Sequence, residues 1–319
     1  MYQKINSTLT TTLQKSDAET MYDRQCKKIL SNKMILALIM KECVWEFENI
    51  PTAEIAKKYI EGDPIIGEAK IFNGENIQGL PTEIINENYG KVFFDIRYKV
   101  IIPNHEEPIE LIVNLEAQND FYPGYPLVKR GCFYAASMIA NQHGIEFGPL
   151  DYNKLKKVYS IWVAYNVPKY LQNTITSYEI KERNIVGNVR EKKKNYDLQS
   201  VVMVYLGQPE DNTQSNTLHM LNNVLSSEIT AEQKLNMLED KYDIKKTIEL
   251  EKELTNMCNL SKSILDKGIG LGITQGIDKG ILITAQNFLK MGLCVEQVAK
   301  GTKLPLEEVI ELKTQMQLQ

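Results

Sequence analysis

The feature that most constrains the fold is a pair of alternating segments between residues 91 and 118. Apolar and polar side chains alternate from Val92 to Val100, and a second alternating run extends from Ile109 to Gln118. A polar, proline-flanked loop at 103–108 separates the two runs. Alternation with a period of two is typical of half-buried strands, so these segments predict an antiparallel β-hairpin.

Segments with helical spacing lie on both sides of this hairpin. Residues 16–47 place apolar side chains at helical intervals, with a break at Ser31-Asn32. Further helices are predicted at 53–60 and 127–142, buried strands at 158–163 and 201–206, and almost pure helix from Thr217 onward. The pattern predicts an α/β domain at 1–215, a helical extension at 216–266 and a helical tail at 267–319.

Composition excludes several classes of protein. The 319 residues carry a net charge of −4, which excludes a uniformly basic, histone-like nucleic-acid binder. The five cysteines are scattered and form no CxxC pair, so neither a zinc knuckle nor a disulfide framework is expected. The polar segment 1–15 lacks a hydrophobic signal region, and the longest strong apolar run, Met34–Met40, is too short to span a bilayer. We therefore expect a cytoplasmic protein without a membrane partner.

The hairpin places two carboxylates opposite each other. A symmetric connection at 103–108 sets Asp95 directly across from Glu116, with side chains roughly 5 Å apart. Facing carboxylates repel unless a cation lies between them or one stays protonated. A hard cation such as Mg²⁺ prefers these oxygen ligands. The spacing alone leaves open the alternative of an exposed hairpin with ordinary surface acids.

Several short motifs on and around the hairpin resemble one family when they are taken together. The sequence is similar to the PD-(D/E)XK nuclease family transposases, relatives of the recombination-promoting nucleases, over roughly residues 20–170. The matching segments are Ser31-Asn32-Lys33, Thr82-Glu83 through Asn86-Glu87, Phe94-Asp95-Ile96-Arg97, Asn114-Leu115-Glu116-Ala117-Gln118, Tyr125 through Arg130, and Tyr159 through Trp162.

The resemblance implies a restriction-endonuclease-like core, a mixed sheet flanked by helices in αβββαβ order. It also implies Mg²⁺- or Mn²⁺-dependent cleavage of DNA in transposition or recombination of mobile elements. Asp95 and Glu116 would be the catalytic metal ligands. Gln118 stands where the superfamily most often has lysine, and it can hydrogen-bond a water or a phosphate oxygen without supplying a positive charge.

Other candidate site residues are less specific. A further acid from the first part of the fold would be Glu46, or else Glu42, Glu83 or Glu87, each of which could equally be surface charge. Arg130 and Tyr134 lie four residues apart on one helix face, where Arg130 could hold a phosphate and Tyr134 could orient Gln118 or a water. Further basic residues that could contact DNA are Arg97, Lys99 and the 181–194 stretch with Lys192, Lys193 and Lys194.

The helical tail carries a separate pattern. Gly268, Gly272, Gly276 and Gly280 repeat every four residues, and each is followed by isoleucine. This pattern predicts an oligomerisation or spacer helix, with a flexible linker as the alternative. The final helices resemble a helix-turn-helix, although the acidic second helix favours a small packing unit over DNA reading.

Together these features predict a metal-dependent DNA endonuclease. Two alternatives stay open at this point. The first is a catalytically degenerate DNA-binding relative, suggested by Gln118. The second is a helical interaction protein built on the C-terminal helices, which could also form a homo-oligomer.

Overall fold

The computed structural model describes residues 17–60, 65–66, 83–86, 90–93, 95–102, 109–118, 121–148 and 150–317. The chain divides into two compact units, one before and one after residue 260. The first unit is an α/β structure with a mixed, open sheet. The boundary lies close to the predicted start of the tail at 267.

The strands are β1 (Ile65–Ile66), β2 (Glu83–Asn86), β3 (Gly90–Phe93), β4 (Ile96–Ile102), β5 (Ile109–Gln118), β6 (Lys157–Ala164), β7 (Thr174–Glu179) and β8 (Gln199–Tyr205). Among the described residues, six of them form the main sheet, in the spatial order β1-β4-β5-β6-β8-β7. β5, β6 and β8 run parallel, whereas β1, β4 and β7 pair with their neighbours in antiparallel fashion. β2 and β3 form a separate two-stranded sheet.

Ten α-helices accompany these strands among the described residues. A π-helical segment, Ile55–Tyr59, continues α3, and three short 3₁₀ turns lie at Trp45–Phe47, Tyr152–Lys154 and Lys169–Leu171. The helices are α1 (Asp17–Leu30), α2 (Lys33–Cys43), α3 (Thr52–Glu54), α4 (Leu127–Ala140), α5 (Lys193–Tyr196), α6 (Asn216–Val224), α7 (Ala231–Tyr242), α8 (Ile248–Lys290), α9 (Val295–Thr302) and α10 (Leu306–Gln317).

The predicted break at Ser31-Asn32 separates α1 from α2. Asn32 is the N-cap of α2, and its side-chain oxygen accepts hydrogen bonds from the amides of Met34 and Ile35. Such a cap satisfies amide groups that have no partner inside the helix. Of the apolar run Met34–Met40, residues 35–40 are buried in the core and Met34 is partly exposed.

The hairpin has the register that a symmetric connection predicts. Ile96 pairs with Leu115 and Arg97 pairs with Asn114, which sets Asp95 across from Glu116. The prediction of one continuous strand from Val92 to Val100 is wrong, because β3 ends at Phe93 in the small sheet and β4 begins at Ile96. Asp95 lies in a bend between them, where its polar groups bond to Glu116 and Ala117 instead of a regular strand ladder.

Helices cover both faces of the main sheet. On one face, α1, α2, α6 and α7 bury a large core that includes Ile35, Leu218 and Leu238 with Ile161 of β6. On the other face, α4 buries Tyr134 and Met138 against Trp162 of β6 and Met203 of β8. The buried residues of this smaller core are Leu127, Tyr134, Ala135, Met138, Val158, Trp162, Ala164, Val167, Val201, Met203 and Tyr205. The predicted helical extension thus belongs to the first unit, since its helices complete that core.

Beyond residue 260, the second unit comprises the end of α8 with α9 and α10. Ala285, Val298 and Val309, one from each helix, form its buried centre. Lys303 ends α9 with a left-handed backbone conformation, φ 63°. The unit therefore has the small helical packing arrangement that the sequence favoured. Among the described helices, none combines the length and apolarity needed to cross a membrane.

Gly131 sets how closely α4 approaches the sheet. A Cβ at this position would meet Val201 Cγ1 at 2.6 Å, Trp162 Nε1 at 3.1 Å and Met203 Cε at 3.2 Å. Val201 is β-branched and packed in a strand, so its methyl group has little freedom to move away. The helix can pack at this distance only if residue 131 lacks a side chain.

We expect Gly131→Ala to lower the free energy of unfolding by about 1–3 kcal/mol, because overpacking outweighs the better helix propensity of alanine. Urea denaturation followed by circular dichroism measures the change. Gly301→Ala in α9 is the control, since its added Cβ meets only Phe288 Cε2 at an ordinary 3.6 Å. Unchanged or increased stability of Gly131→Ala would contradict this account of the packing.

Candidate functional site

Two backbone amides hold the side chains of Asp95 and Glu116 across the hairpin. The backbone amide of Asp95 donates to Glu116 Oε1 at 3.0 Å, and the amide of Ala117 donates to Asp95 Oδ2 at 3.0 Å. Glu116 is 4% exposed, while Asp95 is partly exposed. Two acidic residues are thus joined across the hairpin near the carboxyl end of β5, the end at which α/β sheets commonly bind ligands.

A cation from the first helix already contacts this pair. Lys27 Nζ of α1 lies 2.7 Å from Asp95 Oδ1. Burial lowers the pKa of the Lys27 ammonium, but the charge and hydrogen bond of Asp95 and the charge of Glu116 outweigh it, so the pKa is raised overall. Lys27 therefore supplies the positive charge that two adjacent acids require.

Sequence reasoning missed Lys27. Its neighbours Cys26, Ile29 and Leu30 are fully buried, and Lys27 lies beside them at the border of the buried face of α1. That border position is the only signal the sequence offers, because a lysine there can cover apolar surface with its stem and reach a polar group. Its partner, Asp95, is 68 residues away in the chain.

On the other side of the pair, α4 contributes an arginine and a tyrosine. Arg130 Nη2 donates to the hydroxyl of Tyr134 at 2.8 Å, and the guanidinium lies over the Trp162 ring at 5.3 Å from its centroid. Burial raises the pKa of Tyr134, and the charges of Glu116 and Asp95 raise it further, against the opposing effect of Arg130. The predicted grouping of Arg130 and Tyr134 is observed, and Tyr134 orients Arg130.

The side chains of several predicted site residues lie outside the part of the chain that the structure describes. Gln118 is the last residue of β5 and pairs with Ala164 in register, but its side chain is outside the described part of the structure. The same holds for Glu83 of β2 and for Arg97 and Lys99 of β4. Glu87 lies outside the described residues altogether.

The structure does not bring Glu46 to the acid pair. Its Oε2 accepts a hydrogen bond from Tyr159 at 2.5 Å, and its Oε1 lies 3.5 Å from Lys157 Nζ. Lys157 pairs with Leu111, five residues before Glu116 on β5, so this cluster is about 16 Å away along the strand. The idea that Glu46 completes the metal site is therefore corrected, and Glu42, which is exposed and bonded to Ser215, does not complete it either.

The basic stretch also lies at the far end of the sheet. It connects β7 to β8 and ends beside Asp197, just before the amino end of β8. Lys192, Lys193 and Lys194 are exposed, and Lys193 contacts Asp197 at 3.4 Å and stacks on the Trp45 ring at 4.6 Å. The stretch is thus exposed to solvent, as its composition suggested. It lies at the amino ends of the parallel strands, whereas Asp95 and Glu116 lie near their carboxyl ends.

The donor set at the pair fits a hard divalent cation. Mg²⁺ is commonly held by one or two carboxylates and keeps several waters for a substrate phosphate. Within the described residues, no group of three or more metal-binding side chains of His, Cys, Asp or Glu is assembled. Asp95 and Glu116 therefore offer a two-carboxylate site, with Lys27 beside it.

We expect Lys27→Met to lower the free energy of unfolding by about 1.5–3 kcal/mol at pH 7, because Asp95 loses a charged hydrogen bond in a half-buried place. Denaturant unfolding measures the loss. Lys28→Met is the matched control, since its ion pair with Glu253 at 3.2 Å is more exposed and should contribute about 0–1 kcal/mol. Equal effects of the two substitutions would contradict the assignment of Lys27.

The stability that Lys27 supplies should disappear at high pH. Because the folded-state pKa of Lys27 is raised above its ordinary value of 10.5, the contribution is fully present at pH values about one unit or more below 10.5. It is lost as the pH rises through the higher folded-state pKa. The difference in unfolding free energy between wild type and Lys27→Met should thus stay constant from pH 7 to about 9.5 and shrink above that range.

Comparisons with protein-family models, with curated proteins and with solved structures find no match to this chain. The resemblance to PD-(D/E)XK nuclease family transposases accordingly remains a prediction from short motifs.

Proposed function

We propose that this protein is a divalent-metal-dependent DNA endonuclease of the PD-(D/E)XK transposase type, with Asp95 and Glu116 as its metal ligands. The observation that carries the proposal is the pair of hydrogen bonds, from the Asp95 amide to Glu116 and from the Ala117 amide to Asp95, that joins two acids near one strand end. A structural ion pair needs one acid and one base. Glu116, which is nearly buried, adds a second acid beside the Asp95–Lys27 pair.

The arrangement of elements supports the finer fold assignment. Along the chain, helices α1 and α2 come first. They are followed by the sheet strands β1, β4 and β5, then by helix α4, and then by strand β6. This is the αβββαβ order that the motif resemblance implies. Asp95 lies just before the first strand of the β4–β5 hairpin, and Glu116 lies in its second strand. We therefore propose a restriction-endonuclease-like core in which β2 and β3 are an insertion.

The neighbouring side chains have separate tasks in this proposal. A bound divalent cation supplies a water of lowered pKa and offsets charge on the scissile phosphate. Asp95 and Glu116 hold that cation, and Arg130, fixed by Tyr134 and Trp162, binds a phosphate oxygen. Lys27 supplies the positive charge that Gln118 lacks, from α1 instead of the strand. Lys192, Lys193 and Lys194 would contact DNA only away from the cleaved bond.

One observation favours a second candidate, the catalytically degenerate DNA-binding relative. Lys27 lies 2.7 Å from Asp95 Oδ1, in the place where a metal ion would have to bind that oxygen. An ammonium that stays there permanently would replace the metal and leave a fold that binds DNA without cutting it. The two candidates differ in whether a divalent cation can displace Lys27.

The first test is cleavage of supercoiled plasmid with Mg²⁺ or Mn²⁺. We expect Asp95→Asn and Glu116→Gln each to lower the rate at least about 100-fold, because a lost ligand removes several kcal/mol of charge stabilisation and 1.36 kcal/mol corresponds to a factor of ten. Glu239→Gln is the control, since this carboxylate pairs only with Lys246 on the surface of α7 among the described ion pairs.

Each outcome of the plasmid assay bears on one candidate. Cleavage that persists unchanged in both variants would exclude Asp95 and Glu116 as the active site. A wild-type protein that binds DNA but never cuts it would support the degenerate relative. A protein that binds neither DNA nor metal would support the helical interaction protein instead.

The second test is Mn²⁺ affinity, measured by isothermal titration calorimetry. We expect Lys27→Met to bind Mn²⁺ more tightly than wild type, because the ammonium no longer competes for Asp95 Oδ1. The same variant should cleave DNA more slowly, since it lacks the charge that Lys27 supplies. Lys28→Met should match wild type in both measurements. Equal Mn²⁺ affinity of wild type and Lys27→Met would contradict the competition.

A further inference from the structure

Exposed tyrosines lie at the same edge of the main sheet as the acid pair. Tyr122 and Tyr125 belong to the loop that follows β5, and Tyr170 belongs to the loop that follows β6. Their exposed fractions are 68%, 45% and 77%, in that order. Because β5 and β6 are parallel neighbours, both loops leave the sheet at the carboxyl end, close to Glu116. We call these three residues the tyrosine surface.

Side-chain contacts connect the two loops. A hydrogen bond joins the side chains of Tyr122 and Tyr170. Phe121 contacts Tyr122 edge-to-face, with ring centroids 4.5 Å apart, and contacts Tyr205 at the end of β8 in the same way at 5.8 Å. β8 is two strands away from β5, which is about 10 Å across the sheet. The tyrosine surface therefore extends over the carboxyl ends of β6 and β8, next to the acid pair.

Positive charge lies beside the tyrosine surface. Tyr125 and Glu116 both act electrostatically on Arg130, so its guanidinium is near the tyrosine surface as well as the acid pair. Lys129, its neighbour in α4, is exposed. Aromatic rings next to cations are typical of proteins that bind single-stranded nucleic acid, because bases stack on the rings while phosphates pair with the cations.

Exposed rings favour an unpaired strand over an intact duplex. In a duplex, each base is stacked between its neighbours, and a protein reaches the face of a base only after that base has left the stack. The bases of an unpaired strand can stack directly on exposed aromatic side chains, whatever their sequence, because every base has an aromatic face. Tyrosines at the edge of the sheet are therefore suited to a strand that is not paired.

We propose that the tyrosine surface binds an unpaired DNA strand, so that the substrate class of the acid pair is DNA with a single-stranded segment. This inference rests on the proposed function, because it takes the substrate of the acid pair to be DNA. Tyr122 and Tyr170 stack on unpaired bases, and Arg130 binds a phosphate of the same strand.

Fluorescence anisotropy of a labelled oligothymidylate in EDTA measures this binding without cleavage. We expect the full chain to bind the single strand at least about tenfold more tightly than a duplex of the same length. Tyr122→Ala and Tyr170→Ala should each weaken the binding of the single strand at least about fivefold, because a stacking contact is lost. Tyr122→Phe and Tyr170→Phe keep the ring and should bind within about twofold of wild type.

Tyr152→Ala is the matched control, since Tyr152 is 65% exposed but lies just before β6, at the amino ends of the parallel strands. It should bind the oligothymidylate as wild type does. A single strand that binds no more tightly than the duplex would overturn the proposal. Alanine variants of Tyr122 and Tyr170 that bind as tightly as Tyr152→Ala would overturn it as well.

Cleavage separates this inference from the nuclease assignment. With Mn²⁺, wild type should cut a duplex that carries a single-stranded extension at least about tenfold faster than a blunt duplex, and Tyr170→Ala should lose the difference. Cleavage that depends on Asp95 but is equal for both substrates would overturn the role of the tyrosine surface alone. Tyrosine-dependent binding in a protein that never cuts DNA would support that role and contradict the nuclease assignment.

Discussion

The proposed site depends on the bonds that join Asp95, Glu116 and Lys27. Each acid accepts an amide hydrogen bond from the partner strand segment, so each carboxylate is held against the opposite side of the hairpin. The repulsion between them has to be offset, and Lys27 supplies an ammonium 2.7 Å from Asp95. This contact also ties α1 to the sheet, so the same charges that offer a cation site contribute to the packing of the fold.

The hairpin was predictable because its pattern is local. Alternation over two short runs sets the strand faces, and the symmetric loop sets the register, so Asp95 and Glu116 could be paired from residue numbers alone. The interruption at Asp95 was not predictable, because it depends on side-chain bonds to Glu116 and Ala117 across the hairpin. Strand β7 was also missed, since its polar residues Thr174–Glu179 form an exposed edge with little apolar signal.

The positions of the remaining site residues depend on contacts distant in sequence. Lys27 and Asp95 meet because α1 packs on the sheet, and no spacing rule links two positions so far apart. Glu46 has the same acidic chemistry as the proposed ligands Asp95 and Glu116, but the turn that carries it packs beside Lys157 and Tyr159 at the other strand ends. Arg130 and Tyr134 could be grouped in advance because helix geometry places residues four apart together.

The most direct measurement is a crystal structure of the protein with Mn²⁺, in which anomalous scattering locates the metal. The account predicts an anomalous peak about 2.0–2.6 Å from carboxylate oxygens of both Asp95 and Glu116. It also predicts that Lys27 Nζ moves away from Asp95 Oδ1. A structure at millimolar Mn²⁺ that has no peak at the acid pair and keeps Lys27 in contact with Asp95 would contradict the proposed metal site.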